Sequence, residues 1–184
     1  MLVVDDSDDI RSLFTLWLGQ QYDVRSAADG VAALDRMDEG VDVVVLDREM
    51  PRKDGLEVAR VLDDGGHRPA VVMVSGVEPG TELLELPVDD YLQKPVDRAE
   101  VLDAVDRAST VADAPATVRR MRALDRRLEV VSEATTTAAL VDSEAYQRAV
   151  ATLEKAPGTS VSRAGAETQS VAPADRPRSS LQRR

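Results

Sequence analysis

The sequence predicts an α/β fold, a doubly wound parallel sheet with helices on both faces. Three observations predict it. Through residues 1–110, short aliphatic runs bounded by Asp, Ser, Gly or Pro alternate with stretches of helical apolar spacing. That is the pattern of strands buried on both faces and joined by crossover helices. Polar residues gather at the C-terminal ends of the runs, where an open parallel sheet places its ligands. After Ala112–Ala116 the runs stop and only helical spacing continues.

The elements follow in order. Leu2–Val4 is the first strand. Ile10, Leu13, Phe14, Trp17 and Leu18 recur at helical spacing behind Ser7 or Asp8 as N-cap, with Trp17 expected in the core. Tyr22–Ser26 reads as a short second strand. Val31, Ala32, Leu34 and Met37 make a helix after Asp29–Gly30, and Val43–Leu46 is the third strand. Leu56, Val58, Ala59 and Leu62 form a helix between Gly55 and Gly65–Gly66, where glycine permits a stop. Ala70–Val74 is the fourth strand. Pro79, Gly80 and Pro87 surround a weak helix near Thr81–Leu86, so that helix is expected to be short or distorted. Tyr91–Leu92 is the fifth strand, and Val101, Leu102, Val105 and Ala108 give a last helix after Asp97.

Beyond that point Val118, Met121, Leu124, Leu128 and Val131 follow helical spacing, and Arg119, Arg120, Arg122, Arg126 and Arg127 lie off the stripe. The arginines are expected on a solvated face. Thr135–Thr137 interrupts, and a second segment carries Tyr146, Val150 and Leu153. Two helices of this size hold too little apolar surface for a core of their own. They are expected to pack on a partner or on a second copy of the chain. Residues 156–184, rich in Ala, Pro, Ser and Arg without periodicity, are expected to be a disordered tail. The expected division is therefore 1–110, 111–155 and 156–184.

Composition narrows the functions. The 184 residues carry a net charge of −11, and only three of the 23 basic residues are lysines (Lys53, Lys94, Lys155). Such an Asp-rich, Lys-poor balance suits a protein kept soluble in high salt, and it argues against DNA as a partner. Cysteine is absent, which excludes disulfides and thiolate chemistry. The one histidine, His67, sits in a Gly65–Pro69 loop, a poor place for a phosphorelay histidine. No run approaches the ~20 apolar residues of a membrane helix, and no basic-then-apolar leader opens the sequence. A cytoplasmic protein without membrane contact is expected.

The chemistry gathers at one rim. Strand one ends in Asp5–Asp6, strand three in Asp47, strand four in Ser75 and strand five in Lys94–Pro95. Three carboxylates, a hydroxyl and an ammonium should converge there. Carboxylates crowded together repel, and a divalent cation relieves them. Mg²⁺ suits one or two carboxylates plus retained waters and a phosphate oxygen. Phosphoryl transfer needs an in-line nucleophile and positive charge on the equatorial oxygens. Asp47 is the candidate nucleophile, Mg²⁺ and Lys94 the charge stabilisers, and Ser75 a donor to the acyl phosphate.

Residues 1–110 resemble a response-regulator receiver domain of two-component signalling. The matching stretches are Leu2–Asp6, Val45–Pro51, Asp54–Gly55, Val74–Gly76 and Tyr91–Pro95. The resemblance implies a flavodoxin-like five-stranded sheet of order 2-1-3-4-5. It implies that Asp47 is the phosphoacceptor, taking its phosphoryl group from a sensor histidine kinase. Asp6 and Asp47 would bind Mg²⁺ directly, Asp5 through water and Glu49 through its backbone carbonyl. Ser75 and Lys94 would contact the phosphoryl group, Tyr91 would reorient as Ser75 moves, and Lys94–Pro95 would be cis. Residues 111–155 resemble, less specifically, the HalX-type helical segment attached to receivers in haloarchaea.

The expected function is thus a phosphorylation switch that signals by protein contact with an output protein or as a homodimer, and not an enzyme. Two alternatives stay open. One is a transcriptional regulator that uses the basic tail on DNA. The other is a Mg²⁺-dependent phosphohydrolase with an aspartate nucleophile, which would want an Asp where Glu49 stands.

Overall fold

A computed structural model describes residues 1–112 and 114–155, so the expectation for the 156–184 tail lies outside the described residues. The five strands are β1 (Leu2–Val4), β2 (Arg25–Ala27), β3 (Val43–Asp47), β4 (Ala70–Ser75) and β5 (Asp90–Gln93). All pair in parallel, in the order β2-β1-β3-β4-β5. This is the flavodoxin-like arrangement expected.

Alternation along each strand feeds two cores. Val3, Val43, Val45, Val72 and Val74 pack against Phe14 and Leu18 of α1 (Asp8–Leu18) and Val101 and Val105 of α4 (Arg98–Ala112). Leu2, Val4, Val44, Leu46, Val71 and Met73 face the other way. They meet Ala33 of α2 (Gly30–Asp35) and Val58, Ala59 and Leu62 of α3 (Gly55–Asp64). Each Val, Leu, Met or Phe among them contributes about 1.5–3 kcal/mol by leaving water. The helices start where the sequence offers an oxygen to free amides. Asp29 accepts from Val31 N and Ala32 N at 2.9 and 3.0 Å. Asp54 and Glu57 form a reciprocal capping box.

Three expectations need correction. The second strand begins three residues later than its apolar residues suggest, because Tyr22 and Val24 pack under the α1–α4 face before the strand starts. The weak fourth helix is short and distorted as expected, a single 3₁₀ segment, η1 (Thr81–Glu85). Trp17 is half-buried at the rim of the core, where its ring lies 5.6 Å from that of Phe14. The C-terminal region has three helices rather than two, α5 (Ala116–Ala134), α6 (Thr137–Asp142) and α7 (Glu144–Glu154), with the extra break at Ser143, whose side chain caps Tyr146 N at 3.3 Å.

Those helices also pack where the sequence did not place them. Leu128, Val131, Leu140, Ala149 and Leu153 join the same core as Leu83 and Leu84 of η1 and Tyr91 of β5. They need no second molecule, because the receiver-like body itself supplies the apolar surface. The α5 arginines are not a uniformly solvated face either. Arg119 is buried, and Arg126 and Arg127 are half-buried against the body.

Candidate functional site

The parallel sheet carries Asp5, Asp47, Ser75 and Lys94 to one rim. Asp5 follows β1, Asp47 ends β3, Ser75 ends β4 and Lys94 follows β5. Register alignment holds the middle of this rim level, with Asp47 opposite Val74 and Ser75 opposite Gln93. Carboxylate oxygens of Asp5, Asp6 and Asp47 lie within 4.8 Å of one another. Asp5 and Asp47 are almost wholly buried, and Asp6 is exposed. The Lys94 ammonium bridges the two buried acids, donating to Asp5 Oδ2 at 3.1 Å and Asp47 Oδ1 at 2.9 Å.

Electrostatics follows from this geometry. Burial pushes the Asp47 carboxyl above the usual carboxylate range, and the charges of Asp5 and Asp6 add to the push. Lys94 opposes it without cancelling it. For Lys94 itself burial acts downward, but its bonds to Asp47 and Asp5 prevail and hold the ammonium above its ordinary value. A site with three carboxylates against one cation has room for more positive charge. Its donors are hard oxygens, the set Mg²⁺ takes.

The loops hold the site by close backbone approach. A Cβ on Gly55 would stand 2.2 Å from the Asp47 carbonyl oxygen, so the β3–α3 loop folds back tightly only because residue 55 has none. Gly55 N donates to Arg48 O at 2.9 Å, closing the turn. The turn also places Arg52 in the left-handed region, at φ 72°.

Ser75 is fully buried, and its Oγ accepts from Val77 N at 3.0 Å. The buried Tyr91 donates its hydroxyl to Val77 O at 2.6 Å. The Lys94–Pro95 peptide bond is cis. Glu49 is exposed, and its carboxylate, Oε2 3.4 Å from the place of a Gly76 Cβ, stands outside the acidic trio. His67 is exposed in its loop, with Nε2 2.9 Å from Val41 O, and it precedes β4, whose other end carries Ser75 at the rim.

One residue escaped the sequence reading. Asp90, at the start of β5, is buried beneath two arginines, Arg107 of α4 and Arg126 of α5. A buried charge in a run otherwise reading as strand was the only available signal, and its partners lie 17 and 36 residues away.

A parallel sheet of order 2-1-3-4-5 with an acidic trio and a lysine at its carboxyl rim defines the class of aspartate-centred signalling domains. The family model of the response regulator receiver domain matches residues 1–106, and the chain belongs to that family. Receiver domains of this kind serve two-component systems, and they are signalling domains rather than enzymes.

Among relatives, a putative transcriptional regulator of Haloferax volcanii is 39% identical over 126 residues, covering 68% of this chain and 22% of that protein. The transcriptional regulatory protein CpxR of Escherichia coli is 34% identical over 108 residues, covering 55% of this chain and 45% of that protein. The chain thus spans less than half the length of either. Among solved structures, the BeF3-activated DrrB receiver domain is 28% identical with a TM-score of 0.53, covering 58% of this chain and 92% of that one. TrrA of Thermotoga maritima, in complex with Mg²⁺ and BeF, is 30% identical with a TM-score of 0.53, covering 58% and 96%. No described helix is long and apolar enough to cross a membrane.

Proposed function

We propose that this chain is a two-component response regulator that accepts a phosphoryl group on Asp47 from a sensor histidine kinase and signals by protein contact. The observation that carries the reading is the buried Asp5–Asp47 pair bridged by Lys94, beside Asp6, at the carboxyl rim of the sheet. An Asp47 carboxylate oxygen attacks phosphorus, the P–N bond to the kinase imidazole breaks, and the imidazole nitrogen keeps the electron pair. Lys94 turns from Asp47 to a phosphoryl oxygen, and the Ser75 hydroxyl donates to another. Mg²⁺, held by Asp6 and Asp47 directly, Asp5 through water and the Glu49 carbonyl, would supply the remaining charge neutralisation.

Residues 111–155 form a HalX-type extension in this reading. The 126 residues matched in the Haloferax volcanii protein exceed the receiver, so the likeness runs on into the helical region. The acidic composition agrees with a haloarchaeal cytoplasm. Transcriptional control, named for two relatives, belongs to proteins of which this chain spans 22% and 45%. Output by contact with another protein requires no such additional domain.

The test is intact-mass measurement in high KCl after incubation with Mg²⁺ and acetyl phosphate, and separately with a phosphorylated histidine kinase. Wild type gains one phosphoryl group, and neither Asp47→Ala nor a sample held in EDTA does. A wild-type chain that stays unmodified by both donors would sink the reading. Steady turnover of a small phosphoester that depends on Asp47 would replace it with the phosphohydrolase.

A further inference from the structure

The C-terminal helices do not close flush on the body. A cleft of about 580 Å³ remains between α5 and α7 on one side and η1 with the α3–β4 loop on the other. That is the size of a small-molecule site. Leu84, Leu86, Leu124 and Ala149 give it an apolar lining. Four arginines, Arg68, Arg120, Arg127 and Arg148, also line it, against two acids, Asp63 and Glu85. In a chain of net charge −11, this is a local excess of positive charge.

Both acids are already matched. Asp63 pairs with Arg68 at 2.6 Å, and Glu85 pairs with Arg148 at 2.6 Å. Arg120 and Arg127 have no carboxylate within ion-pair distance among the described residues. The half-buried Arg127 meets only carbonyls, donating to Ala123 O at 3.2 Å and to Leu86 O. Burial pulls its guanidinium below the ordinary value, Asp89 and Asp63 oppose without prevailing, and Arg68 adds to the pull. A desolvated cation without a counter-charge is costly, and an anion relieves it. On the same seam Arg119, 9% exposed, donates to Arg68 O at 2.7 Å, while its Nε and Nη2 have no acceptor among the described residues. Guanidinium groups match carboxylate and phosphate oxygens in pairs.

We propose that this cleft is a binding site for a small organic anion, a phosphate monoester or carboxylate carried on an apolar body. The acidic group meets Arg120 and Arg127, and the body lies on the Leu84, Leu86 and Leu124 lining. Residues 156–184 hold five arginines against two acids, the wrong sign to fill the cleft. The ligand touches the body and the helices together, so its binding fastens α5 and α7 to η1. The site stands apart from the phosphoacceptor reading, because no residue of the acidic rim lines it.

The test titrates the full chain with anilinonaphthalene sulfonate, a fluorescent anion on an apolar body, and then displaces it. Wild type binds the probe at a single saturable site. Decyl phosphate or decanoate displaces it and decanol does not, and the stronger of the two anions names the head group. Arg120 is exposed and holds no partner that folding needs, so Arg120→Gln leaves the fold intact and weakens the probe and the better anion at least about tenfold. Arg122→Gln removes an exposed arginine of the same helix outside the cleft and changes neither. Hydrogen exchange locates the site, since the better anion slows the amides of α5 and α7 and leaves those of α1 unchanged. Absence of saturable binding overturns the proposal. Displacement by decanol as effective as that by the anions shows a merely apolar groove and overturns it too. Equal loss in Arg120→Gln and Arg122→Gln, or slowed exchange away from α5 and α7, places the anion elsewhere and overturns it as well.

Discussion

Gly55→Ala should damage stability and phosphoryl uptake together, although residue 55 touches neither metal nor phosphate. The added Cβ would stand 2.2 Å from Asp47 O, 2.9 Å from Arg48 Cα and 3.1 Å from Asp47 C. All three are backbone atoms, so no side chain can swing aside. Restoring ordinary contact of at least 3.4 Å requires the two segments to part by roughly 1 Å. Overpacking of this kind costs about 1–3 kcal/mol, and the 2.9 Å bond from Gly55 N to Arg48 O adds about 1 kcal/mol when stretched. Reduced freedom of the unfolded chain returns up to about 1 kcal/mol. The net loss is about 2 kcal/mol, a fall in Tm of roughly 4–8 °C for a chain of this size. A shift of about 1 Å at Asp47 slows phosphoryl transfer by about a hundredfold. The assay is a thermal scan paired with the rate of adduct formation from acetyl phosphate. Gly66→Ala is the matched control, since a Cβ there meets nothing within 4 Å. If Gly55→Ala matches wild type in both readouts, the argument that close backbone approach positions Asp47 is wrong.

Other perturbations bear on the same links. Lys94→Met leaves the buried Asp5 and Asp47 carboxylates facing each other and should cost about 3 kcal/mol without metal. Thermal scans should show added Mg²⁺ restoring more stability to this variant than to wild type, and equal Mg²⁺ effects would contradict that. Asp47→Asn should raise Tm in EDTA at neutral pH. Asp47 titrates higher in the folded state than in the unfolded chain, so its ionised form disfavours folding above the folded pKa. The advantage of Asn should therefore shrink as pH falls through that pKa, and a pH-independent difference would refute the assignment. Leu153→Ala removes a fully buried side chain from the core under η1 and should cost about 2–5 kcal/mol. Urea denaturation followed by circular dichroism checks it, and a loss below about 1 kcal/mol would mean that α7 is not seated as described.

The strands with apolar runs were legible because both of their faces are buried. Val43–Leu46 and Ala70–Val74 could belong to little else, and their polar termini marked the rim. The edge strand β2 was not legible in the same way. Only Ala27 of its three residues is buried, so pairing with β1 rather than a hydrophobic run defines it. The acidic trio was legible from its positions at strand ends, because parallel register converts chain order into adjacency. The seat of α5–α7 was hidden for a different reason. A guanidinium that reaches a backbone carbonyl or a lone buried acid looks, in sequence, like one that reaches water. Arg126 and Arg122 are both arginines off the apolar stripe, yet only Arg126 finds Asp90.

An open sheet ends in two strands with unpaired backbone groups, and each is a template on which another chain can add a strand. Here the two ends are guarded by different means. β2 is three residues long, with Arg25 and Ser26 exposed, and offers too little length to template anything. β5 is longer and carries Tyr91, and α5 packs against it. The helices that close over β5 thus protect the sheet from its own kind, in an acidic chain whose charge repulsion is weakened by salt. Loss of α5–α7 would expose a sticky edge under the conditions where repulsion protects least.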